Sequence, residues 1–149
     1  MKSRARRSDD YRERILLKIE KERARLANVL AGLDADDSKR ARATAVMAHL
    51  TAWEHRMTRR IRGIAEGVPG PEELAIDDFN ARVDAAAGKR TASAIRREFD
   101  ESYPQVLNFI RHLPDHALAS REVRLLIGYN THGRYRWAIE KIRERLLGS

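Results

Sequence analysis

The chain has 149 residues, of which 42% are apolar, 6% aromatic and 35% charged, and it contains no cysteine. That is the length of one ordinary domain able to bury a real core, and the missing cysteines exclude disulfides, thiolate zinc sites and a cysteine nucleophile. A formal charge of +8 invites an anionic partner, yet most of it is arginine interleaved with glutamate and alanine. Arg12, Glu13, Arg14 and again Arg143, Glu144, Arg145 read as solvated helix faces. The basic opening MKSRARRSD leads into no apolar run, and no segment approaches the roughly 18 apolar residues of a membrane span. A cytoplasmic protein with no membrane partner is expected.

In chain order, the first segment repeats Tyr11, Ile15, Ile19, Leu26, Leu30 and Leu33 at spacings of 4, 4, 7, 4 and 3. That is a helical stripe, predicted over about 9–32, with Ser8 as its cap and a basic flexible arm over 1–8. The second segment carries Val46, Leu50, Trp53, Met57, Ile61 and Ile64, and ends at Gly67-Val68-Pro69-Gly70-Pro71, the clearest loop in the chain. A short helix with Phe79 and Val83 follows and stops near Gly88. Thr91 then caps a third long segment with Ile95, Phe99, Tyr103, Val106, Ile110 and Leu113, in which Pro104 predicts a kink or a break. The last helix is predicted from Ser120 to Leu147, with Val123, Ile127, Ala138, Ile142 and Leu146 on one face. Four long helices and a short extra one between the second and third predict an all-α four-helix bundle, a single domain over 9–149.

Sites in such bundles arise where polar side chains interrupt an apolar face. His49 sits three residues after Val46 and four before Trp53, beside the inward stripe of the second helix. On the last helix Asn130, Thr131 and Arg134 share the face of Ile127 and Ala138. A buried arginine needs a partner or an anionic ligand to offset its desolvation. A pocket lined by His49, Trp53, Asn130 and Arg134 follows. Each residue also has a plainer role: a hydrogen-bonded core histidine, a core tryptophan, an interhelical polar contact, and an arginine snorkelling outward. His112 and His116 look like surface residues, and His132 points away from the stripe.

The stretches AHLTAWE (48–54), IDDFNARV (76–83) and GYNTHGRYRWAIEKIRE (128–144), with IEKERARLANVLAGL (19–33) in the first helix, resemble the ClbS/DfsB branch of the DinB-like superfamily over nearly the whole chain. The resemblance implies a small bacterial four-helix bundle. Many members bind a divalent metal through three histidines; the first position falls on His49, but the other two fall on Arg134 and Ala138, neither of which binds metal. No metal or other cofactor is therefore expected. The ClbS-like role implied instead is binding an electrophilic small molecule between the helices and opening it with water. His49 would orient or deprotonate the water, Arg134 and Asn130 would hold a carbonyl or developing anion, Trp53 would pack on a planar ligand, and Asn80 would line the entrance. Thr131 joins the substrate-binding set. The segments DADDSKRARAT and DHALASREV look shorter than is usual in the family and lack its tryptophan-containing turns, which implies a more open rim.

Two other readings stand beside it. One is a non-catalytic, dimeric binding or scaffold protein, which an uncovered apolar helix face would favour; a second copy of the chain is the expected partner besides a small-molecule ligand. The other is a nucleic-acid binder, for which His55, Arg59 and Arg62 give a basic stripe on the second helix, without interleaved aromatics or a helix-turn-helix.

Overall fold

A computed structural model describes residues 3–68 and 75–146, apart from the side chains of Arg4 and Leu146. Pro69, Gly70 and Pro71 of the expected loop, residues 1 and 2 of the expected arm, and Leu147 lie outside the described residues. Among those described there is no β-strand, and seven helices follow one another: α1 (Arg4–Ala31), α2 (Asp37–Glu66), α3 (Ile76–Ala87), α4 (Ala92–Arg111), α5 (Asp115–Leu118), α6 (Arg121–Asn130) and α7 (His132–Leu146). None of them is long and apolar enough to cross a membrane.

The helix starts follow side-chain chemistry. Asp36, Thr91 and Ser120 each accept a hydrogen bond from the backbone N–H three residues on, at 2.9, 3.1 and 3.4 Å, and so satisfy a donor that the first turn leaves free. Gly67 ends α2 in the left-handed region, at φ 68°, where glycine avoids the Cβ clash. The α1 cap is Ser3, which accepts from Arg6 N–H, so the helix begins at Arg4 and not near residue 9. Ser8, expected as the cap, is buried inside the helix and its hydroxyl lies 3.3 Å from the Asp115 carbonyl.

The predicted stripes form the core. Ile15, Ile19, Leu26, Leu30 and Leu33 meet Leu50, Met57, Ile61, Ile95, Phe99, Val106, Ile110 and Ile127. In this core α2 packs against α3, α4 and α6, while α1 packs against α5 and α7. Helix α4 runs through Pro104 without the expected break. Only the bond to the Asp100 carbonyl is forfeited there, and Asp100 lies on the exposed side of the helix, where losing one donor costs little. Arg12, read as a solvated charge, instead donates to the carbonyls of Ile110 (3.3 Å) and Leu113 (2.6 Å). It thereby caps the C-terminal end of α4, where a cation is favoured.

The predicted last helix is two helices. It breaks at Thr131, at φ −115° and ψ −104°, and a close backbone approach follows. A Cβ on Gly133 would sit 2.8 Å from the Gly128 carbonyl oxygen. Alanine normally gains up to about 1 kcal/mol over glycine in a helix, but here it would push backbone against backbone. Gly133→Ala is therefore expected to destabilise by about 1–3 kcal/mol, read as a lower Tm in a thermal melt; a raised Tm would show that the junction has slack.

Candidate functional site at the α2–α3–α7 face

Helix α3 lies along α2 so that two turns of each face one another. Trp53 Nε1 donates to Asn80 Oδ1 at 3.1 Å, and one turn away His49 Nε2 lies 2.6 Å from Asp84 Oδ1. A carboxylate only accepts, so Nε2 carries a proton, and the tautomer that fits this contact has Nδ1 as its acceptor nitrogen. Asp84 holds that tautomer. The side chains of His49 and Asp84 are 30% and 66% exposed, so the pair is open to solvent.

Arg134 closes the other side of Trp53. Its guanidinium lies 4.4 Å from the Trp53 ring centroid, 4.8 Å from Tyr129 and 5.8 Å from Trp137, within cation–π range of all three. Arg134 Nε is buried with no hydrogen-bond partner. Burial lowers the pKa of the group from its ordinary value, and Tyr129 acts against that shift. Phe79 of α3 meets the same tryptophan edge to face at 5.0 Å. Of the residues expected at the site, His49, Trp53, Asn80 and Arg134 thus come together, and Asp84 joins them.

Asn130 and Thr131 do not join them as expected. The Asn130 amide donates to the Leu126 carbonyl at 2.8 Å and the Thr131 hydroxyl to the Ile127 carbonyl at 2.5 Å. Because α6 stops there, both side chains serve carbonyls of their own helix, which engages the Thr131 hydroxyl proton and one Asn130 N–H. The break also shifts the register, so that Tyr135 is fully buried while Arg134 is only half-buried.

The donor set does not fit the three-histidine metal that the resemblance brings to mind. At the two positions beside His49 stand a cation, Arg134, and a buried side chain without a donor atom, Ala138. Among the described residues no group of three or more His, Asp or Glu side chains is placed to hold a metal ion. The basic stripe on α2 is not a separate solvated face. His55 Nδ1 lies 3.9 Å from Glu98 Oε1 and Arg62 stacks 5.7 Å over Phe109, so both turn toward α4.

No family model, curated protein or solved structure matches this chain.

Behind the site lies a polar cluster that the sequence reading passed over. Glu54, adjacent to Trp53, is fully buried. Tyr135 donates to its Oε2 at 2.5 Å, Ser102 to its Oε1 at 3.4 Å, and Arg23 Nη1 stands 3.8 Å from Oε1. Arg23 also donates to the Phe99 carbonyl at 2.9 Å and to Tyr135 Oη at 3.3 Å, with its guanidinium 3.7 Å over the Phe99 ring. The signal was present in the spacing. Glu54 falls on the inward stripe between Leu50 and Met57, and the seven-residue gap between Ile19 and Leu26 is filled by Glu22 and Arg23, both buried.

Burial raises the Glu54 pKa above its ordinary 4.5, while Arg23, Tyr135 and Ser102 pull it back. Burial, helped by the Glu54 charge, raises Tyr135 well above its ordinary 10.0. A carboxyl with a raised folded pKa keeps its proton in the native state to higher pH than in the unfolded chain. Its contribution is complete below the unfolded value of 4.5 and is lost as pH rises through the folded value. Glu54→Gln mimics the protonated form and lacks this loss. The Tm of wild type minus that of Glu54→Gln is therefore expected to fall as pH rises from about 4 to about 8; a difference that grows with pH would mean that Arg23 outweighs burial.

Proposed function

We propose that this chain is a DinB-like four-helix bundle of the ClbS/DfsB kind. In this reading it acts in the cytoplasm, binds an electrophilic small molecule at the α2–α3–α7 face and hydrolyses it without a metal. The observation that carries the reading is the 2.6 Å His49–Asp84 contact beside the Trp53 ring and the Arg134 guanidinium.

The chemistry asked of these groups is modest. Asp84 holds the imidazole so that Nδ1 takes a proton from water, and the water oxygen bonds to the electrophilic carbon as the bond to the leaving atom breaks. The electron pair goes to that leaving atom, whose developing negative charge faces Arg134. Proton return from the imidazolium to the product restores His49. Trp53 offers a flat apolar surface to the substrate, and Asn80 fixes that ring by accepting its N–H.

A specific feature favours a second reading, the dimeric scaffold. Leu125 and Tyr129 lie one turn apart on α6, and both stay exposed along with Trp137 on α7. Arg134 links the two aromatics, which leaves an apolar face uncovered of the kind that a second copy covers.

Hydrolysis of p-nitrophenyl acetate and of styrene oxide, an activated ester and an epoxide, separates the two. The catalytic reading expects turnover by the wild type and a loss of roughly 100-fold or more in kcat for His49→Ala and for Asp84→Asn, with unchanged melting temperatures. Turnover by neither probe, or wild-type rates in both variants, contradicts it.

A further inference from the structure

Between α2, α3 and α4 lies a groove of about 830 Å³, within the roughly 300–1,000 Å³ typical of small-molecule sites; Phe79 and Arg56, which stack at Trp53, border it. Its apolar lining comes from all three helices: Ala48 and Ala52 of α2, Phe79 and Val83 of α3, and Ile95 of α4. Five arginines also line it, Arg56, Arg59, Arg60, Arg82 and Arg90, against the single acid Glu98.

These cations are not equally engaged. Arg90 pairs with Glu98, Arg60 reaches Glu122 at 3.4 Å, and Arg56 stacks over Phe79 and Trp53. Arg59 of α2 and Arg82 of α3 form no ion pair with another described residue. Two positive charges on separate helices thus border one apolar lining.

A second observation is independent of charge. Thr51 lines the same groove and is 4% exposed, yet its hydroxyl is buried with no hydrogen-bond partner. Thr44, Thr58 and Thr131 each donate to the carbonyl four residues back, at 3.0, 3.0 and 2.5 Å. Thr51 is a helical threonine that does not, and a buried hydroxyl left this way is unfavourable until something accepts from it or donates to it.

We propose that the α2–α3–α4 groove is a second binding site, for an amphiphilic anion: a carboxylate or phosphate monoester head on an apolar body. The head sits between Arg59 and Arg82, the body lies on Phe79, Val83 and Ile95, and a polar atom of the ligand meets the Thr51 hydroxyl. The concave apolar lining favours such a molecule over a nucleic-acid backbone, which needs the arginines but not the lining. His49 and Trp53 are not part of its lining, and the proposal does not rest on the hydrolytic reading.

Isothermal titration of the full chain with decyl phosphate, below its micellar concentration, tests this. Decanol, inorganic phosphate and a duplex oligonucleotide serve as comparisons. Decyl phosphate is expected to saturate one site per chain and to bind at least about tenfold more tightly than decanol or phosphate, the scale of charge-assisted hydrogen bonds to a head group. Arg59→Gln/Arg82→Gln and, separately, Val83→Glu are each expected to weaken it by about tenfold or more with unchanged melting temperatures. Equal affinity in the arginine double variant, phosphate binding as tightly as decyl phosphate, or displacement of decyl phosphate by the duplex would overturn the proposal.

Discussion

The buried carboxylate of Glu54 is the constraint around which the rest is arranged. Bringing a carboxylate out of water carries an effective penalty of several kcal/mol, so the core is organised to offset it. Arg23 comes from α1, Ser102 from α4 and Tyr135 from α7, and each stands within reach of a carboxyl oxygen on α2. Four helices are thereby held to one point. Successive helical residues turn by about 100°, so fixing Glu54 inward fixes where its neighbours go. Trp53 turns to the α3 and α7 side, with His49 one turn before it. On α7 the same logic holds: Tyr135 is held in the core, and Arg134 beside it is delivered to Trp53.

Helix α3 converts this fixed orientation into two surfaces. None of its residues is fully buried, and polar and aromatic contacts, Asp84 to His49, Asn80 to Trp53 and Phe79 to Trp53, join it to α2. One surface gathers the histidine, the tryptophan and the stacked Arg134; the other is the apolar groove with its arginines, and Phe79 borders both. The charge of the chain is correspondingly not one uniform coat. Arg12 and Arg23 serve the fold, while Arg59 and Arg82 form no ion pair with another described residue.

The fold was legible where the physics is local. The inward stripes of α1, α2 and α4, the cap of α4 at Thr91, the helix start at Ser120 and the short α3 all follow from side-chain period and hydrogen-bonding chemistry. The split of the last helix did not, because it depends on how closely the Gly133 and Gly128 backbones approach. Asn130 and Thr131 were misplaced for the same reason: a polar pair on an inward face reads as a site until the helix is seen to end there. Arg23 was hidden by its type. Arginine usually snorkels outward, and only the seven-residue gap in the apolar stripe pointed inward. His49, Trp53, Asn80 and Arg134 were found by motif and face; Asp84 was missed, although it lies one turn beyond Asn80 on the same side of α3.

The most direct test of this account is a double-mutant cycle on Glu54→Gln and Tyr135→Phe, with unfolding free energies from chemical denaturation at neutral pH. If the buried carboxylate organises the core, the two substitutions will be coupled by about 1 kcal/mol or more, because each removes a partner that the other needs. Costs that add to within about 0.5 kcal/mol would mean that the helices are set by apolar packing alone and that Glu54 merely rides in the core.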